Sequence, residues 1–146
     1  MSFAKRTVQD LDCAGKRVLM RVDFNVPVSG GAVTDDTRIV GALPTLRYLI
    51  SKRARLVLCS HLGRPKGGPD PKYSLKPVRE RLARLLRQDV AWADDCVGAE
   101  AERAAAADFS SAVAGFCTRY FAIFLSILMA AIFSSAPGGV ARQNFP

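Results

Sequence analysis

The sequence is poor in histidine, with His61 alone among 146 residues, and its four cysteines, Cys13, Cys59, Cys96 and Cys117, include no Cys-x-x-Cys pair. That scarcity argues against a zinc site, which needs several imidazole or thiolate ligands at short spacings. Neither G-x-x-x-x-G-K-[ST] nor a G-x-G-x-x-G after the first strand occurs, so the common nucleotide-cradling loops are lacking as well. No internal repeat is present. The amino terminus has no uninterrupted apolar run, because Lys5, Arg6, Asp10 and Asp12 break it. It therefore resembles neither a secretory signal nor, with two acids, a transit peptide. The expectation is a cytoplasmic chain with reduced thiols. Its length suits one domain with a real core and is too short for two of ordinary size.

Acidic residues are outnumbered, 13 against 21 Lys and Arg, for a net charge of +8. After Ala107 only Asp108, Arg119 and Arg142 are charged, so +7 belongs to residues 1–107. The excess is scattered over Lys16, Lys52, Arg53, Arg55, Arg79 and Arg84 without interleaved aromatics, which speaks against a nucleic-acid surface.

What is present centres on Arg17-Val18-Leu19-Met20-Arg21-Val22-Asp23-Phe24-Asn25-Val26-Pro27. Period-two alternation predicts a strand over 17–24 with Val18, Met20, Val22 and Phe24 on one face and Arg21, Asp23 and Asn25 on the other. The polar face reads either as an Arg21–Asp23 pair on a solvated edge or as a ligand site. Pro27 and Gly30-Gly31 mark a turn. Thr34, Asp35 and Asp36 offer caps for a helix over 36–52 with Ile39, Leu43, Leu46 and Ile50 inward, and with a kink or restart at Pro44. Arg38 sits in its opening turn, where an oxyanion would meet free N–H groups and the positive dipole end, or where Asp35 or Asp36 would pair with it.

Leu56-Val57-Leu58-Cys59 reads as a strand buried on both faces, leading into Ser60-His61-Leu62-Gly63-Arg64. Loops at the carboxyl ends of parallel strands gather ligands, so Asp23, Asn25, His61 and Arg64 are expected along one rim. Taken alone, a histidine such as His61 is more often an ordinary surface or satisfied residue than a ligand, and its position at a strand exit beside Arg64 is what singles it out. Residues 65–71 read as a loop. Ser74 caps a helix to about Leu86, with Leu75, Val78, Leu82 and Leu85 on one face and Arg79, Arg81 and Arg84 solvated. A third strand is expected over 89–93 and a helix over 99–107. The class is α/β: a parallel βαβαβ, Rossmann-like, three-layer sheet with right-handed crossovers.

The stretch from Arg17 to Pro27 resembles the signature of phosphoglycerate kinases. So do Asp36-Thr37-Arg38-Ile39, Ala42-Leu43-Pro44-Thr45, Ser60-His61-Leu62-Gly63-Arg64-Pro65, Lys72-Tyr73-Ser74-Leu75-Lys76-Pro77-Val78 and Asp95-Cys96-Val97-Gly98, in order and at fitting spacings. The resemblance implies an incomplete amino-terminal, glycerate-binding domain over 1–107. It implies that Arg21, Asp23, Phe24, Asn25, Arg38, His61, Leu62, Gly63 and Arg64 form the substrate site for 3-phosphoglycerate or 1,3-bisphosphoglycerate, with Arg38 nearest the transferred group. Mg2+ with ATP or ADP would be held by a carboxyl-terminal domain that this chain lacks. A monomer is expected.

The resemblance stops near residue 107, where the family continues with a Leu-Leu-Glu-Asn-like motif and a further arginine. Residues 108–146 form an apolar tail outside the family pattern. Its uninterrupted run, Tyr120 to Phe133, is shorter than the ~20 residues that span a bilayer, and extending it takes in Arg119. The tail is read as the product of a truncated or altered gene, with a membrane-tethered or interaction protein as the alternative. The whole chain is expected to be inactive alone.

Overall fold

The computed structural model describes residues 6–64, 70–94 and 98–106. Strand β1 (Arg17–Arg21) runs parallel to β4 (Arg55–Cys59), in register from Arg17 opposite Arg55 to Arg21 opposite Cys59. A parallel pair cannot close through a tight turn, and the crossover here carries a hairpin and a long helix. In β4, Leu56, Val57, Leu58 and Cys59 are all buried, as expected for a strand covered on both faces.

The expected first strand ends earlier than residue 24. One further ladder bond forms, from the Val22 amide to the Cys59 carbonyl (2.9 Å), and then the backbone finds other partners. The Phe24 amide donates to Ser60 Oγ (2.9 Å), the Asn25 amide to Asp23 Oδ1 (3.1 Å), and the Val26 amide to the Phe24 carbonyl (2.8 Å). The alternation survives the loss of the ladder: Val22, Phe24 and Val26 are buried, while Arg21, Asp23 and Asn25 are exposed.

Strands β2 (Val28–Ser29) and β3 (Ala32–Val33) form a hairpin closed by Gly30 and Gly31 at φ 56° and 76°. Positive φ at both central residues is the primed turn that matches strand twist, and it requires residues such as glycine. Helix α1 (Thr37–Ser51) follows and runs through Pro44 as one helix, so of the expected kink or restart the restart does not occur. Its buried stripe is Ile39, Leu43, Leu46 and Leu49, so Leu49 rather than Ile50 is the last residue fully inward. Helix α2 (Lys76–Leu86) buries Val78 and Leu82; its cap position is Leu75 rather than the expected Ser74, whose Oγ, one residue further out, accepts from the Lys76 amide (3.3 Å). Both helices end in a left-handed arginine, Arg53 (φ 56°) and Arg87 (φ 55°). The Ala54 amide reaches back to the Leu49 carbonyl (3.1 Å) and the Gln88 amide to the Ala83 carbonyl (3.2 Å), which is the Schellman closure with arginine where glycine is usual. Helix α3 (Ala99–Ala106) completes the described chain.

The expected third strand over 89–93 does not form, so among the described residues the parallel sheet has two strands and the order is βαβ followed by helices, not βαβαβ. Val90 and Ala93 are fully buried, which accounts for the apolar pattern. The Val90 backbone is engaged elsewhere: Arg79 Nε donates to the Val90 carbonyl and the Val90 amide to Asp89 Oδ1 (2.9 Å). The fold class remains α/β, as an incomplete Rossmann-like domain. Ile39, Leu46, Leu49, Leu56, Leu58, Leu82 and Val90 form the centre of one core among the described residues. No helix among the described residues is long and apolar enough to cross a membrane. The run from Tyr120 to Phe133 lies outside them.

Candidate functional site

Three backbone exits meet at one rim: residues 22–26 beyond β1, residues 60–64 beyond β4, and the first turn of α1. Asp23 stands at their junction. Its Oδ2 accepts from Arg38 Nη1 (2.8 Å) and its Oδ1 from the Asn25 amide, while Asn25 Oδ1 accepts from the Gly63 amide (2.9 Å). Asp23 therefore joins α1 to the first exit, and Asn25 joins the first exit to the second. The Ser60 hydroxyl adds a further tie through the Phe24 amide.

The Asn25 backbone N–H holds the Asp23 carboxyl below its ordinary value of 3.8, with partial burial opposing and the charges of Arg38 and His61 assisting. The Asp23–Arg38 pair is more than half exposed on both sides, so it contributes at most about 1 kcal/mol to stability. A weak pair of this kind orients a guanidinium without capturing it, and a multiply charged oxyanion competes for it readily. Arg38 pairs here with Asp23 rather than with Asp35 or Asp36. Asp35 Oδ1 instead accepts from the amide (2.9 Å) and hydroxyl (2.6 Å) of Thr37, the first residue of α1.

Of the remaining residues singled out from sequence, Arg21 and Arg64 are exposed and His61 is half-buried. Phe24 and Leu62 turn their side chains into the core, so only their backbone faces the rim. Gly63 has φ 60°, and the ring of Tyr73 lies where a Cβ would project, so the residue type is fixed both by backbone and by space. Tyr73, Ser60 and Arg81 contribute to the site without having been singled out for it. Ser60 carried one signal, as a hydroxyl immediately after a buried apolar run.

The α2 arginines are not simply a solvated face. Arg79 holds Val90 and Asp89, and Arg81 grips Asp36 Oδ2 through Nε (2.7 Å) and Nη2 (2.6 Å). A cleft of about 400 Å³ lies beside the rim, between the hairpin and α2, and includes Asp36, Glu80, Arg81 and Arg84 in its wall. The rim is the better candidate, because its Arg38–Asp23 pair is one exposed contact, whereas in the cleft Arg81 closes on the less exposed Asp36 with two nitrogens.

The family model for phosphoglycerate kinase matches residues 8–114. The phosphoglycerate kinase of Akkermansia muciniphila is 61% identical over 105 residues, and that of Fervidobacterium nodosum 58% over 102; these matches cover 72% and 70% of this chain and 26% of each relative. Among solved structures, the phosphoglycerate kinase of Pyrococcus horikoshii OT3 superposes with a TM-score of 0.65 at 29% identity, and that of Coxiella burnetii with 0.60 at 36%. Each structural match covers 74% of this chain and 26% of the other. The chain thus spans about a quarter of the length of the relatives it matches. With the family model matched over most of its residues, the chain belongs to the phosphoglycerate kinase family.

Proposed function

We propose that residues 1–107 are the partial amino-terminal domain that holds the glycerate substrate in phosphoryl transfer between 1,3-bisphosphoglycerate and ADP, giving 3-phosphoglycerate and ATP. The observation that supports this reading is that Asp23, Asn25, Arg38 and the Gly63 amide are tied by hydrogen bonds at two parallel strand exits, with the His61 charge acting on Asp23. Asp23 and Asn25 orient the hydroxyl and carboxyl end of the glycerate. Arg21, His61 and Arg64 hold its phosphate, and Arg38 lies nearest the transferred group. Such transfer needs alignment and cations matched to the equatorial oxygens, and planar guanidinium forks supply both.

The family implies Mg2+ and an adenine nucleotide. On this reading that group is held by the carboxyl-terminal domain of the family, outside the quarter of its relatives' length that this chain spans. No step is assigned to it on this chain. Alignment of two bound partners accounts for about 7–11 kcal/mol of a barrier, so the chain alone is expected to show no steady-state ATP formation from 1,3-bisphosphoglycerate and Mg-ADP. Measurable turnover abolished by Arg38→Ala would overturn that expectation.

Binding is tested by titrating 3-phosphoglycerate while following amide shifts. Perturbations are expected at Asp23, Asn25, Arg38, His61 and Arg64, with affinity reduced about tenfold or more by Arg38→Ala, the ordinary effect of losing a charge-assisted hydrogen bond. Shifts confined to residues remote from the strand exits would sink the assignment.

A further inference from the structure

Asp36 occupies the cap position of α1, yet its side chain makes no capping bond. Its backbone is part of the helix, because its carbonyl accepts from the Val40 amide (2.9 Å). Its carboxylate points away, to α2, where both Nε and Nη2 of Arg81 close on the single oxygen Oδ2 at 2.7 and 2.6 Å. The Asp36 side chain is 29% exposed, against 55% for Asp23 in the rim pair, so the Arg81 grip is the better shielded of the two. Two residues beyond Asp36 stands Arg38, whose own tie to the rim is the one exposed bond to Asp23. On the far side, the chain entering α2 places Tyr73 over Gly63, whose amide binds Asn25. Helix α2 and its entry segment therefore brace the rim from both walls.

We propose that Arg81 is a positioning residue, which holds the Arg38 guanidinium over Asp23 by fixing the first turn of α1 through Asp36. Arg81 makes its own polar contacts to Asp36 rather than to a rim residue, so it acts through the helix and touches no substrate. A planar fork closing on one oxygen restrains both the distance and the tilt of the turn that bears Arg38, which a lysine point charge does not. The inference rests on the reading of Arg38 given above.

The test uses the full 146-residue chain and reads the Asp23 carboxyl carbon and the Arg38 Nε–Hε resonance by NMR. Asp23 is faced by Arg38, His61 and the Asn25 amide, and Arg38 by Asp23 and Asp35. In Arg81→Ala the Asp23 titration midpoint is expected to rise by about half a pH unit, the scale of one exposed charge partner, and the Arg38 resonance to collapse toward its solvent position. Arg81→Lys is expected to recover only part of both. Asp36→Asn, which keeps the shape and removes the charge, is expected to repeat the effect and serves if Arg81→Ala does not fold by circular dichroism. A merely structural role would lower Tm and leave the Asp23 midpoint and the Arg38 resonance unchanged in a folded variant, and that result would overturn the proposal. In parallel, 3-phosphoglycerate affinity is expected to fall about threefold to tenfold in Arg81→Ala, as an indirect loss of one oriented contact. If the unaltered chain does not bind 3-phosphoglycerate, the glycerate assignment falls while the two resonances still decide whether Arg81 positions Arg38.

Discussion

Gly63 concentrates two constraints in one residue, a left-handed backbone and the Tyr73 ring where a side chain would begin. Gly63→Ala is expected to cost about 1–2 kcal/mol from the backbone alone, read as a lower Tm, with a further loss from displacing the ring. Tyr73→Ala in the same background should recover the steric part and leave the backbone part; an unchanged Tm in Gly63→Ala would show that the loop relaxes freely. Cys59 illustrates the opposite case, a residue made inert by its surroundings. Burial pushes its thiol up from 9.0 to about 11, with the Arg21 charge opposing. Peptide-level mass mapping at pH 8 is expected to find Cys59 alkylated far more slowly than an open thiol. The residues of the rim were legible in the sequence because alternation put Asp23 and Asn25 on the polar side and strand exits attract polar clusters. Which cation Asp23 takes was not legible, because Arg38 reaches it across a distance in sequence that no local spacing encodes. The Ser60 and Arg81 contacts were hidden for the same reason.

Among elements, helix α1 was readable from its apolar period and its preceding acids, and β4 from its continuous apolar run. The failure over 89–93 is instructive. A short apolar stretch reports burial, not a ladder, and here the Arg79 and Asp89 side chains take backbone positions that a neighbouring strand would have used. Pro44 does not interrupt α1: inside a helix long enough to pack on β4 and α2, tertiary burial outweighs one lost backbone bond. Leu46→Ala, at a fully buried position, is expected to destabilise by about 2–5 kcal/mol in urea melts. Val40→Ala, on the exposed face of the same helix, should stay within about 0.5 kcal/mol. Equal losses at the two positions would mean that α1 is not seated as described.

At the scale of the whole molecule, several carboxylates share one electrostatic bias. Asp10 is held below its ordinary value of 3.8 by the Thr7 backbone N–H, Asp12 by its hydrogen bond from Lys16, and Asp35 by that from the Thr37 side chain. Asp94 is lowered by the Trp92 indole N–H, and Asp23 by the Asn25 amide. In each the folded chain binds the proton less tightly than the unfolded chain. The stability they contribute is complete above pH 3.8 and is lost as pH falls through that value toward the lower folded ones. The urea midpoint should therefore hold steady through mildly acidic solution and drop below about pH 4; a midpoint already falling near neutrality would point to a different titrating group.

The parallel register of β1 and β4 also sets an order of events. Every rung joins residues separated by the same long stretch of chain, Arg17 to Arg55 through Arg21 to Cys59. No rung can form cheaply before the hairpin and α1 have shortened the loop between the strands, since closing a long flexible loop costs entropy that only later contacts repay. Shortening must come first, and the turn at Gly30-Gly31 and the Asp35 bonds to Thr37 at the start of α1 become timing elements rather than decoration. Weakening them should slow refolding in stopped-flow mixing; unchanged refolding rates in such variants would show that the strands pair without that shortening.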